Sequence, residues 1–215
     1  MNMVHRPLNR RTLLRGIVEA GMLPPALFAS KSLAGPHMDP AQTGPAVSVA
    51  HYGAGRGAEN DAAAFEQAVA EARRRGRALH GPPARYGGGG WTIPRSGGPL
   101  RIVVDRGAAL ILSDRAGPGQ SLLEVRADDV EIAGGLWHGN AGRAPRDNVV
   151  VKAYSGTPGD PQIRRFVFRP DEVRSGNSDL VFILGAADSH VIGGRFVDAG
   201  GNLVVFAAGN AQHAA

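Results

Sequence analysis

The chain of 215 residues contains no cysteine, which excludes structural disulfides, thiolate metal sites and a cysteine nucleophile. It has no run of 18 apolar residues free of charge, so no ordinary membrane span is expected. Aromatic residues make up 6%, while glycine (31) and proline (15) are plentiful. That is the composition of a turn-rich globular chain. A charge excess on the body is also lacking. The formal net charge is +5, but residues 1–35 carry Arg6, Arg10, Arg11, Arg15 and Lys31 against Glu19 alone. The remainder, with 19 basic and 18 acidic residues, is nearly balanced and has no electrostatic footprint for nucleic acid.

The basic leader has its own pattern. Asn9-Arg10-Arg11-Thr12-Leu13-Leu14-Arg15 pairs two arginines ahead of two large apolar residues, and the stretch from Gly16 to Phe28 is weakly apolar. It resembles a twin-arginine export signal. Ser32-Leu33-Ala34 supplies small residues for a signal peptidase, which places cleavage after Ala34. The expected organisation is a signal peptide over 1–34, a linker over 35–46 and one domain over 47–215. The expected location is periplasmic or secreted, with the export machinery as a partner through Arg10 and Arg11.

The body starts with a short alternating strand, Val47-Ser48-Val49, and a glycine-rich turn, Gly53 to Gly57. A helix follows, with Asn60 or Asp61 as its cap and Gly76 as its end. Phe65, Ala68, Val69 and Ala72 recur at i, i+3, i+4 and i+7, so they form one buried face. The run Arg73-Arg74-Arg75-Gly76-Arg77 is read as a solvated, dipole-complementing helix end. Gly81-Pro82-Pro83 and Gly87–Gly90 are read as turns. Short apolar strands come next, at 100–104, 109–112, 122–125 and 130–132. A second long amphipathic helix is lacking, which excludes an ordinary βαβαβ fold. It also disposes of the dinucleotide-like Gly53-Ala54-Gly55-Arg56-Gly57-Ala58, which has no ribose-binding acid about 20 residues on.

Internal repeats point to a stacked fold. The segment from Leu180 superposes on that from Leu203 at a shift of 23, and Arg101, Val103 and Leu110 superpose on Leu123, Val125 and Ile132 at 22. Ile132-Ala133-Gly134-Gly135-Leu136-Trp137 superposes on Val191-Ile192-Gly193-Gly194-Arg195-Phe196 at 59, which requires an insertion, assigned to Asn140–Pro161. Several short strands in a period of 22–23 residues read as one turn of a solenoid.

Four motifs in order then carry a family resemblance. They are Tyr52-Gly53-Ala54 through Val69, Gly81-Pro82-Pro83-Ala84-Arg85-Tyr86, Gly107-Ala108-Ala109-Leu110, and Ile132-Ala133-Gly134-Gly135-Leu136-Trp137-His138-Gly139-Asn140. Together they resemble the entry region of pectate-lyase-like and polygalacturonase-like proteins. The resemblance implies an all-β fold, a single-stranded right-handed parallel β-helix with an N-terminal capping α-helix. It implies a polysaccharide or oligosaccharide partner, no cofactor, and lyase or glycoside hydrolase chemistry in a full-length relative. His51, Arg56 and His138 stand where the family commonly has Asp, and the family's catalytic sets are absent from this chain. Those sets belong to later coils, so the resemblance implies an N-terminal portion. The alternative is a non-catalytic glycan-binding or structural module, or an inactive fragment.

Hydrolysis of a glycan needs two carboxyl groups across one bond, and elimination needs a base with charge stabilisation of a uronate. Asp198 is the catalytic candidate. Trp137, His138, Asn140, Asp188 and His190 are the substrate-groove candidates. Each has a structural alternative: turn formation for Asp198 and Asp188, a polar edge for the two histidines, and core packing for Trp137.

Overall fold

The computed structural model describes residues 44–56, 61–144, 146–155 and 161–207. Arg10, Arg11, the cleavage site after Ala34 and Asn60 lie outside the described residues.

Helix α1 (Ala62–Arg75) begins in an alanine-rich stretch that favours helix, and it buries Phe65, Ala68, Val69 and Ala72. It ends where expected. Gly76 adopts φ 58, and the N–H groups of Gly76 and Arg77 bond back to Arg73 and Ala72. Two expectations at its ends need correction. Asp61 occupies the cap position, but its side chain does not cap the helix. It accepts the Gly55 N–H (3.2 Å) and the Gly87 N–H (3.0 Å) instead, bracing the preceding loop against a strand. Nor is the arginine run wholly solvated. Arg73 donates to the carbonyls of Pro94 (2.9 Å) and Ser96 (2.5 Å), pinning the helix to a loop. Arg74, beside Glu71, does stay exposed, and holds that carboxyl at about 2.

Apart from a 3-10 turn over Val49–Tyr52, which takes Val49 out of the strand expected over Val47–Val49, the remaining regular elements of the described residues are strands. Strand β1 (Val47–Ser48) is followed by β2 (Leu79–Gly81), β3 (Arg85–Gly88), β4 (Trp91–Ile93), β5 (Leu100–Leu112) and β6 (Leu123–Val125). After them come β7 (Val130–His138), β8 (Val151–Tyr154), β9 (Ile163–Arg164), β10 (Phe166–Arg169) and β11 (Glu172–Gly176). The last are β12 (Val181–Leu184), β13 (Ala186–Ala187), β14 (His190–Val191), β15 (Arg195–Ala199) and β16 (Val204–Ala207). Every pairing is parallel, so the fold is all-β with parallel sheets. A nine-stranded sheet follows the order β1-β2-β5-β7-β10-β14, with β3 beside β5, β11 beside β7, and β15 beside β11. A five-stranded sheet runs β4-β6-β8-β12-β16, and β9 pairs with β13. Glycine-rich 87–88, read as turn, lies in β3, and β8 lies inside the segment read as an insertion.

Successive passes return to each sheet in register. Val181 pairs with Val204, 23 residues on, as the later repeat predicts. The shift of 22 is overturned: Val103 pairs with Ala133, and Leu123 belongs to the other sheet. The shift of 59 spans two passes, since Ile132 pairs with Phe168 and Phe168 with Val191, steps of 36 and 23 residues. The longer pass includes β8, which lies within the expected insertion region.

Period-2 alternation turns each register column into a continuous layer of core. One column is Tyr86, Leu110, Trp137, Val173 and Phe196; another is Trp91, Leu123, Val151, Val181 and Val204. Phe65 of α1 stacks on Trp91, with ring centroids 4.8 Å apart, so the helix closes the first pass. The register of β5 with β7 shifts between Val104 and Ala109, opposite the left-handed Gly134-Gly135, and this irregular level, the bend, continues through Pro170-Asp171 and the left-handed Gly193-Gly194. Gly134 (φ 82) must be glycine, because a Cβ there would lie 2.0 Å from the Val104 carbonyl oxygen. Asp171 secures the bend by accepting the Gly135 N–H at 3.1 Å. No helix among the described residues is long and apolar enough to cross a membrane.

Candidate functional site

Beyond the bend, β3 and the second halves of β5 and β7 join β11 and β15 in a strip. Its buried column holds Tyr86 through Phe196, so alternate positions face outward. One outward row is Arg85, Ala109, Leu136, Glu172 and Arg195. The next is Gly87, Ile111, His138, Arg174 and Val197. A surface groove of about 360 Å³ runs over the strip's first strands, between Arg85, Asp114, Asn140 and Arg143.

His138 accepts the Asn140 N–H through Nδ1 at 2.9 Å. The neutral ring therefore carries its proton on Nε2. Burial pushes the imidazole pKa down, and the guanidinium groups of Arg174 and Arg85 push it the same way, against Glu172. His138 is thus a neutral donor of an Nε2–H bond. It is not a base at Nε2, since moving the proton to Nδ1 would set it against the Asn140 N–H. Asn140, in a left-handed conformation (φ 54), spends its side-chain amide on the Leu112 carbonyl at 3.0 Å. It shapes the groove floor as much as it offers a contact.

Four arginines give the strip its charge. Arg174 and Arg195 share Glu172, at 3.3 and 3.5 Å. Exposed pairs at such distances contribute about 0–1 kcal/mol and exchange readily for another anion. Arg85 and Arg143 form no ion pair among the described residues.

The other candidates separate. Trp137 is fully buried, its Nε1–H bonded to the Gly134 carbonyl (3.0 Å) and its ring edge-on to Phe168. It packs the core and cannot stack on a sugar. Asp188 (φ 52) lies in register with Arg165 (φ 56), whose guanidinium pairs with Asp129 (φ 55). That stacked left-handed turn precedes β10 and β14, away from the strip, and Asp188 belongs to it. His190 is exposed on β14, beside Val167, and does not join His138. Asp198 is exposed near the end of β15, in register with Ser175, and takes a left-handed φ of 56 within the strand. It still lies on the strip's last strand. Among the described residues, no three His, Cys, Asp or Glu side chains converge as metal ligands.

Sequence reasoning therefore found Asn140 in the groove and His138 on the adjoining strip, but missed Arg85 and Arg143 at the groove and Arg174 and Arg195 on the strip. Alternation along β11 (Glu172, Arg174) was the available signal, and it needed the strand to be recognised first.

No family model and no curated protein matches the chain. A solved structure, the crystal structure of the Agl-KA catalytic domain, is similar at 18% identity and a TM-score of 0.47, over 74% of this chain and 34% of that one. The chain thus matches about a third of the length of that structure.

Proposed function

We propose that this chain is an exported right-handed parallel β-helix protein of the pectate-lyase-like type that binds an acidic polysaccharide along the strip of β3, β5, β7, β11 and β15. One observation carries the reading. Arg85, Arg174 and Arg195 face outward at strand spacing, with Arg143 at the groove edge and the His138 Nε2–H between them. Adjacent strands lie about 4.8 Å apart. A linear glycan laid across them meets a donor at most steps, and its carboxylates pair with guanidinium groups that bind them bidentately. Parallel strands in register and the capping position of α1 support the β-helix, and the four ordered motifs support the family.

Catalysis is a second reading, favoured by Asp198. Its carboxylate is exposed on the strip's last strand, outside any ion pair among the described residues, where a base for elimination would stand. Native affinity electrophoresis through gels containing polygalacturonate, alginate or a neutral glycan separates these readings. Retardation by the polyuronates alone supports binding. An unsaturated-uronate absorbance that Asp198→Asn abolishes supports elimination. Equal mobility in all gels would sink both. The leader is tested separately, by a reporter fusion whose export should fail when Arg10 and Arg11 become lysine.

A further inference from the structure

Near the end of α1, Arg73 carries a charge that no acid among the described residues neutralises. One guanidinium nitrogen, Nη1, donates to the carbonyls of Pro94 and Ser96 in the loop from β4 to β5. The other two, Nε and Nη2, are closed off from solvent and have no hydrogen-bond partner. The nearest acid in the helix is already engaged, since Glu71 is shared by Arg74 and Arg75. Burial pushes the Arg73 pKa down, and no carboxylate opposes it. Unpaired donors on a desolvated cation are costly, and folded proteins meet such groups with protein atoms, water or an ion.

The same side chain lines a groove of about 620 Å³ between α1 and that loop. Glu66, Val69, Ala70 and Arg73 follow i, i+3, i+4 and i+7, so they form one stripe of the helix along the groove, and Thr92 and Pro94 stand on the facing wall. Charge therefore sits at the two ends of the stripe, with an apolar stretch between. Glu66 lies two turns before Arg73, about 10 Å along the helix axis. It is exposed and forms no ion pair among the described residues. The volume is that of a small-molecule site, with room for an organic body beside an anionic group. Gly97 (φ 109) closes the groove over the Arg73 stem, where a Cβ would lie 2.7 Å from Cδ and 3.1 Å from Nε. Gly97 and Gly98 are exposed and carry no side chain, so a swing of this loop opens Nε and Nη2 to the groove.

We propose that this groove binds a small hydroxylated molecule bearing one oxyanion group, a phosphate or a carboxylate. The Nε–Nη2 edge of Arg73 holds two oxygens of the anion side by side. The body lies over Val69 and Ala70, and Glu66 accepts hydroxyl protons at the far end. The site is built on the capping helix and shares no lining residue with the groove on the strip.

The test is titration calorimetry of the full chain, in phosphate-free buffer, with glucose 6-phosphate, galacturonate, inorganic phosphate and glucose. At least one of the two sugar anions should bind, and the tighter one names the head group. Inorganic phosphate should bind more weakly, and glucose should not bind. Arg73→Lys keeps the charge but loses the two-oxygen edge, so it should weaken binding at least ~10-fold with circular dichroism unchanged. Glu66→Gln, on an exposed helix position, should narrow the gap between the sugar anion and inorganic phosphate. Hydrogen exchange should slow over 66–74 and 92–98 on binding. A folded chain that binds neither sugar anion would overturn the proposal. So would affinity undiminished in Arg73→Lys, or protection that falls on β11 and β15 instead.

Discussion

Asp61 is the residue at which a changed side chain should register most clearly. Its two oxygens hold different segments, Oδ1 the Gly55 N–H and Oδ2 the Gly87 N–H, while its own N–H donates to the Gly87 carbonyl. The side chain thus ties the loop before α1 to β3. Replacing it by alanine leaves two part-buried donors without acceptors. Each such loss costs about 1–3 kcal/mol, so Asp61→Ala should destabilise by about 2–6 kcal/mol. Asparagine keeps one oxygen but turns an amide NH2 toward the other donor, so Asp61→Asn should cost about 1–3 kcal/mol. Burial raises the Asp61 pKa above its ordinary 3.8, and the two backbone donors oppose that only in part. With the folded value above the unfolded one, the stability contributed by protonation is fully present below about 3.8 and is lost as pH rises through the folded value. The gap between parent and Asp61→Asn should therefore widen as pH falls toward 3.8 from above the folded value. Urea unfolding followed by circular dichroism, at several pH values, measures both effects. An Asp61→Ala midpoint equal to the parent's would refute the bracing role, and a gap that narrows on acidification would refute the sign.

Three further outcomes follow from the geometry. Gly134→Ala drives a Cβ into the Val104 carbonyl at a left-handed φ, and should cost ~3 kcal/mol or more, whereas Gly98→Ala, with nothing within 4 Å, should stay within ~0.5 kcal/mol. Equal unfolding midpoints for the two variants would contradict the bend. Trp137→Ala removes a fully buried ring from the central column and should cost about 3–5 kcal/mol, with glycan retention intact wherever the variant is folded. A stable variant that loses retention would return Trp137 to the groove. For His138 the folded pKa lies below the ordinary 6.5, so its contribution is present above 6.5 and is lost as pH falls through the folded value. His138→Asn keeps an acceptor for the Asn140 N–H and should flatten that part of the stability–pH curve; an unchanged slope would argue against the shift.

Much of the fold was legible because its signals are local. Helix α1 shows its buried face through Phe65, Ala68, Val69 and Ala72, and its end through Gly76. The last passes kept their length, so Val181 and Val204 aligned at sight. The shift of 22 failed because a three-residue apolar strand looks alike in every sheet. Leu123-Glu124-Val125 was set over Arg101-Ile102-Val103, yet the two are out of phase, with Ile102 buried where Glu124 is not, and lie in different sheets. Strand β3, Arg85-Tyr86-Gly87-Gly88, was unreadable because parallel neighbours stabilise it rather than its own propensity. The site follows the same division. His138 and Asn140 were visible beside a motif, whereas Asp188 and Asp198, alike as acids after short strands, were parted only by which column each joins. Arg85 and Arg174 come to one face of the strip across pairings 24 to 36 residues apart, a distance at which one sequence carries no register.

The most direct measurement of the glycan-binding strip is calorimetric titration of the chain with an oligogalacturonate at two salt concentrations. Binding should be seen at low salt and weaken as salt rises, because guanidinium–carboxylate attraction is screened. Combining Arg85→Ala with Arg174→Ala should weaken it at least ~10-fold, with the unfolding midpoint preserved. Affinity that is unaltered in the double variant, or indifferent to salt, would contradict the assignment of the strip.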